Sequence, residues 1–277
     1  MQDLILSMVK FLKKSSVILT GSSGYVGSAT KELLENLNYE VFCIDKAIKK
    51  DTRNVIRLAV LALKKPKALV HLSSKKSIPE SIKNPYGYYF NNILSTLSVA
   101  IISKIFRLPV VFASSAAVYE PYNPYAKSKL IEEKILKMLC NRLVILRYFN
   151  LVGKTSIAQD KNGTNIFSII NNSQSIKVNN IKSTRDYVNI LDISKANVMA
   201  LDYAQSNKFL ITDIFTGTQK TMLEVIKEYE ECGVGIDYTV LDLPDLTVLP
   251  KIDNRQAIGW HPDISFAESI KSETTYR

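Results

Sequence analysis

Three cysteines and two histidines are all that 277 residues offer to a disulfide framework or a metal site. Cys43, Cys140 and Cys232 lie far apart, odd in number and without CxxC spacing, so they read as reduced thiols of a cytoplasmic protein. His71 and His261 form no HExxH or other ligand pair, so no metal is expected. Arginine is also scarce, eight of 36 basic residues, which leaves 28 lysines. The net charge of +10 invites a nucleic-acid reading. The lysines are scattered along the chain, however, and no C₂H₂, RRM or KH signature occurs, so no nucleic-acid partner is expected. The opening MQDLILSMVKFLKK has its acid first and its lysines last, the wrong polarity for a secretory signal. Residues 84–103 carry no charge but include Pro85, Asn91, Asn92 and several serines, which predicts a buried helix and no membrane span.

What remains is an ordinary globular composition, 46% apolar and 22% charged, long enough for one large domain or two modest ones. Short apolar runs alternate with helical patterns through the first half. Val17–Leu19, Val41–Ile44, Ala68–Val70, Val110–Phe112 and Leu143–Leu146 read as strands, and helices are expected over about 25–37, 54–63 and 125–139. Fully apolar strands separated by helices predict a parallel sheet covered on both faces, a doubly wound α/β (Rossmann) fold. After about Asn150 the pattern loosens into a smaller α+β lobe. The expected division is a dinucleotide-binding domain over 1–150, with 186–207 packing back onto it, and a substrate lobe over most of 151–277.

The segment VILTGSSGYVGSATK places Gly21, Gly24 and Gly27 after the first strand and at the mouth of a helix, with Tyr25 and Val26 between the last two. Glycine there lets the backbone turn sharply and approach a pyrophosphate, which the helix N-terminus then binds. Asp45 ends the second strand, placed to accept hydrogen bonds from a ribose diol and to repel a 2′-phosphate. NAD is therefore favoured over NADP, a preference that Lys46 offsets in part.

VVFASSAAVY carries Ser114 and Ser115 to the carboxyl edge of the sheet, and PYNPYAKSK sets Tyr125 four residues before Lys129 on one helix face. A lysine ammonium near a phenol favours phenolate, so Tyr125 is a candidate general base with a lowered pKa. With 14 tyrosines and 28 lysines, about 1.4 such spacings arise by chance, so position rather than spacing carries the reading.

With these blocks in order, joined by VHLSSKKSIPESIKNPYGYYFNN, LRYFNLVG and STRDYVNILDISKANVMAL, the sequence resembles the extended short-chain dehydrogenases/reductases. Within them it is similar to the NAD-dependent epimerase/dehydratase family and its UDP-glucose 4-epimerases. The resemblance implies Tyr125 as catalytic base, Lys129 on the nicotinamide ribose and Ser115 on the sugar 4-hydroxyl. It implies Asp45 on the adenosine ribose, Asp51 on the adenine edge, and Lys76 and Asn91 supporting the cofactor. Asn150 and Arg185 would grip the diphosphate of a nucleotide sugar, a UDP-hexose. The implied reaction oxidises C4 with tightly held NAD and returns the hydride to the opposite face. The implied assembly is a homodimer joined through the helices that contain 91–102 and Tyr125.

Departures from the family pattern keep other readings open. Ala116 and Ala117 supply neither the acid of the dehydratases nor the threonine of many 4-epimerases. Residues 233–250 hold no basic residue where an Arg-x-Gly-Asp element is usual, so one of two diphosphate-clamping arginines is missing. A nucleotide-sugar reductase or dehydrogenase, and a non-catalytic NAD-binding regulator, stand beside the epimerase.

Overall fold

A computed structural model describes residues 14–160, 165–173, 175–241, 243 and 247–275; the opening stretch 1–13 lies outside them. The chain opens with β1 (Ser16–Thr20), α1 (Tyr25–Asn36) and β2 (Glu40–Ile44). A 3₁₀ turn at Lys46–Ile48 and α2 (Val55–Ala62) lead to β3 (Ala68–His71). Then come α3 (Ile78–Lys83), α4 (Pro85–Phe106), β4 (Val110–Ser115), α5 (Pro124–Leu139) and β5 (Leu143–Tyr148). These strands pair in parallel in the order β2-β1-β3-β4-β5.

Each inner strand buries both faces, as its unbroken apolar sequence predicts. Val17, Leu19, Val70 and Val144 fill one core, while Ile18, Leu69, Phe112 and Ile145 fill the other with Leu58, Val99 and Leu136 from the helices. The alternation follows the period of two along a strand. The chain winds outward from β1 to β2 and then crosses to β3, so the sheet's switch point lies between β1 and β3, where such folds bind ligands.

Past β5, β6 (Asn150–Val152), α6 (Ile166–Asn172), β7 (Ser175–Val178) and β8 (Thr184–Asn189) build the second lobe. The chain then returns to the first: α7 (Ile190–Ser206) packs on α1, and β9 (Phe209–Ile214) pairs with β5 as a sixth parallel strand. Against the expected 186–207, the segment that packs on the large sheet is 190–214: residues 186–189 stay in β8 of the second lobe, and FLITDI adds a strand to the large sheet. The lobe is completed by β10 (Gln219–Thr221), α8 (Met222–Glu231), β11 (Asp237–Val240) and α9 (Phe266–Thr275). Its strands form a mixed sheet, β10-β8-β6, and a parallel pair, β11-β7. Phe167, Ile176, Tyr187, Val225, Tyr229 and Ile270 make its own core. Helix α4 is long and apolar enough to cross a membrane, but half of its most apolar stretch is buried in the fold.

Candidate active site

The β1–α1 turn is shaped by backbone contact. Gly21 adopts φ +73°, and a Cβ on Gly27 would lie 1.9 Å from the Gly21 carbonyl oxygen, so no side chain fits there. Gly24 is the N-cap of α1 and offers no side-chain acceptor, leaving the first N–H groups of a 12-residue helix for a ligand. The Asp45 carboxylate accepts from Ser23 N–H at 2.9 Å and Ala47 N–H at 2.8 Å, and further lone pairs remain for a diol. This donor and acceptor set fits an anionic ligand that carries a ribose.

The turn opens on a cleft of about 1130 Å³, more than one small ligand requires. Gly21, Gly24, Tyr25, Val26 and Gly27 form one wall. Ser115, Tyr125 and Lys129 stand at its middle, with Lys76, Asn150 and Arg185 around them. Asp45 stands at the rim, held to Ser23 of the lining. Asp51 and Asn91 lie outside the wall. Arg53 takes both carboxylate oxygens of Asp51, at 2.6 to 3.1 Å. The Asn91 amide accepts from the Lys46 ammonium and donates to Asn92 at 3.0 Å.

Local structure fixes the central group. Asn123 caps α5 by accepting from Ala126 N–H at 2.9 Å, and Pro124 starts the helix, so Tyr125 projects from its first turn. Lys129, one turn on, donates to the Ala113 carbonyl at 3.0 Å and lies 3.4 Å from the Glu132 carboxylate. Its ammonium is also 4.6 Å from the centre of the Phe112 ring. The expected lowering of the Tyr125 pKa is not what these surroundings produce. Burial pushes the phenol up to about 12, a hydrogen bond with Ser115 pulls it back, and the Glu132 charge adds to the rise. Burial also pulls the Lys129 ammonium down, and Glu132 opposes that pull.

Behind Lys129 runs a chain of buried hydrogen bonds whose direction can be assigned. Thr96 donates to Glu132 Oε2 at 2.9 Å, so it must accept from His71 Nε2–H at 3.0 Å. Thr20 then donates to His71 Nδ1 at 2.8 Å and accepts from Ser73 N–H at 3.3 Å. Burial, with the Lys129 charge second, drops the His71 pKa to about 3, which keeps it neutral. Next to Ser115, Ser114 donates to Glu133 at 2.7 Å, and Arg147 clasps both oxygens of Glu133 at 2.8 and 2.7 Å.

Three functional candidates escaped the sequence reading. Glu132 looked like one more charge on an amphipathic helix. Asp160, from the segment after β6, meets Lys76 at 2.8 Å beside the Gly-rich turn, and Tyr25 donates from its hydroxyl to the Gly153 carbonyl of the same segment. Lys177 on β7 lines the cleft together with Arg185 on β8. Strand alternation on β7 is the signal that could have found it, because Ile176 and Val178 are buried while Ser175 and Lys177 face outward.

A doubly wound sheet with a glycine turn at its switch point defines the Rossmann class of proteins. The model of the NAD dependent epimerase/dehydratase family matches residues 17–211, and the chain belongs to that family. It is 28% identical to the UDP-glucose 4-epimerase of Rhizobium meliloti (strain 1021), over 94% of this chain and 96% of that one. Among solved structures it resembles the UDP-glucose 4-epimerase of Stenotrophomonas maltophila with bound NAD and formylated UDP-arabinopyranose. The TM-score is 0.86 at 22% identity, over 95% and 97% of the two chains. The Bifidobacterium longum UDP-glucose 4-epimerase in complex with NAD+ and UDP gives 0.84 at 24% identity, over 95% and 98%. These likenesses establish a shared fold.

Proposed function

We propose that the protein is an NAD-dependent nucleotide-sugar 4-epimerase acting on a UDP-hexose. The observation that carries this reading is the grouping of Ser115, Tyr125 and Lys129 in one cleft with an uncapped glycine turn. NAD at that turn supplies the oxidant for sugar C4 and the means of its return. Tyr125, whose pKa burial raises to about 12, would take the proton of the 4-hydroxyl and give it back once the positive charge of bound NAD joins that of Lys129 beside it. Ser115 hydrogen-bonds that oxygen, and Lys129 would orient the cofactor ribose. Asp45 accepts from the adenosine ribose.

Arg185 and Asn150 hold the diphosphate, and Lys177 stands in for the cation that residues 233–250 lack. A guanidinium fork and an ammonium together match a diphosphate in charge and donor geometry.

In a UDP-galactose/UDP-glucose interconversion assay, Tyr125→Phe is expected to lower turnover by about 10²–10⁴ while the protein still binds NAD. Unchanged turnover would overturn the assignment. A requirement for stoichiometric added NAD(P)H would indicate a reductase instead.

A further inference from the structure

A second concavity lies at the other end of the large sheet. Where β3, β4 and β5 begin, a cavity of about 410 Å³ is lined by Lys65, Lys67, Arg107 and Arg142, and no acidic side chain lines it. The helix ends and loops at this end of the sheet, 63–67, 104–109, 140–142 and 205–208, also carry Lys64, Lys104 and Lys208, which do not line the cavity. These segments carry seven cations and no carboxylate, and none of the seven joins a salt bridge among the described residues, although Lys64 lies over the Phe42 ring at 4.6 Å and Lys67 over the Tyr39 ring at 5.5 Å.

Part of this has a bland cause. Helices α2, α4, α5 and α7 all end here, and cations favour helix C-termini. Four such ends supply about −2 of partial charge, far short of neutralising the loops. The cavity is also built rather than merely charged. Arg142 donates from Nη1 to the Gln205 carbonyl at 2.8 Å and from Nη2 to the Arg107 carbonyl at 3.0 Å. Gln205 in turn donates to the Lys67 carbonyl at 2.7 Å. Neutral acceptors thus hold the guanidinium between three loops, with its charge uncompensated and three of its five N–H groups unspent. Lys65 and Arg107 flank it in left-handed backbone, φ +57° and +51°, a conformation unfavourable for long side chains.

We propose that this cavity is a phosphate-recognition site for a small ligand bearing two or more phosphate groups. It lies one strand length, about 20 Å, from the cleft, since β4 begins beside its Pro109 and ends at Ser115. A fixed guanidinium reads a phosphate bidentately, and the lysines add point charges around it. Its concavity and small volume fit a compact polyanion better than a nucleic-acid backbone.

Calorimetric titration of the full chain with sodium tripolyphosphate, at matched ionic strength and with NAD and UDP at saturating concentration to occupy the cleft, tests the site. One saturable site is expected. Its affinity should fall about tenfold or more in Arg107→Gln/Arg142→Gln. Because Arg142 also holds loops together, the exposed pair Lys65→Gln/Lys67→Gln provides a second variant, expected to fall in the same direction. Arg185→Gln/Lys76→Gln, in the nucleotide cleft, should leave this affinity unchanged. Vesicles of phosphatidylcholine with phosphatidylinositol phosphate separate the sources. If they bind and tripolyphosphate displaces them, the same phosphate chemistry is being read from a lipid headgroup. The proposal is overturned if no saturable binding occurs or if both cavity variants bind normally. It is equally overturned if only the cleft variant loses affinity, or if duplex DNA or vesicles bind while tripolyphosphate does not.

Discussion

Glu132 is the residue whose surroundings most exceed what its place in the sequence suggests. It is fully buried, its Oε2 receives Thr96 and Lys129, and its Oε1 has no hydrogen-bond partner among the described residues. A buried carboxylate beside Lys129 helps the ammonium keep its proton, which burial would otherwise strip. Glu132→Gln removes that support without changing the side-chain shape, so Lys129 deprotonates at lower pH. The alkaline limb of the pH–activity profile is therefore expected to move to lower pH, and Glu132→Asp should restore part of the shift. A profile unmoved by Glu132→Gln would show that the carboxylate only fills space. Nothing in YAKSKLIEE announces this role. Amphipathic spacing finds the helix, but Glu132 and Glu133 are buried only because Thr96, Lys129, Arg147 and Ser114 reach them, three of these from other elements.

Between elements, the Arg147–Glu133 pair ties β5 to α5 beneath Ser114. Both side chains are nearly buried, at 9% and 1% exposure, so removing one charge strands the other. Glu133→Gln is expected to cost about 3–5 kcal/mol, read as a lower urea midpoint at unchanged slope. Burial alone would raise the Glu133 pKa, but Arg147 and Ser114 hold it below the usual carboxylate value. Its stabilisation is therefore present above about pH 4.5, the unfolded value, and is lost as acid takes the pH down through the folded one. A wild-type midpoint that matches the variant's at neutral pH would refute the pairing argument.

The strands that could be read from the sequence are those whose burial is their own doing, such as Val17–Leu19 and Leu143–Leu146. β9 could not be read so, because Thr212 and Asp213 interrupt its apolar run. They are buried at no penalty because Asn254 N–H donates to Thr212, while Tyr119 O–H and Lys251 N–H donate to Asp213. Those partners lie 38 to 94 residues away in sequence, beyond the reach of any local pattern. The glycine turn and the Ser115, Tyr125 and Lys129 group were readable for the opposite reason, since each rests on short spacings next to a recognisable strand.

For the molecule as a whole, one face remains to be accounted for. Tyr86, Phe90 and Ile105 of α4 are 87%, 62% and 66% exposed, and Met138 of the adjoining α5 is 73% exposed. Along α4, Tyr86, Phe90 and Ile105 and the partly exposed Leu94, Leu97 and Ile101 follow one another at steps of three or four, so they form a single apolar stripe, with Met138 on the helix beside it. A contiguous apolar surface of this kind marks an interface on a soluble domain, and two helices offering one stripe suit a two-fold contact with the same pair of helices in a second copy. Light scattering is expected to give twice the 31.2 kDa chain mass. Phe90→Glu with Met138→Glu places charges on that exposed stripe while leaving the core untouched, and should yield a monomer that keeps its fold by circular dichroism. A wild-type chain that is monomeric at assay concentration, or a charged variant that still dimerises, would mean that the stripe serves some other contact.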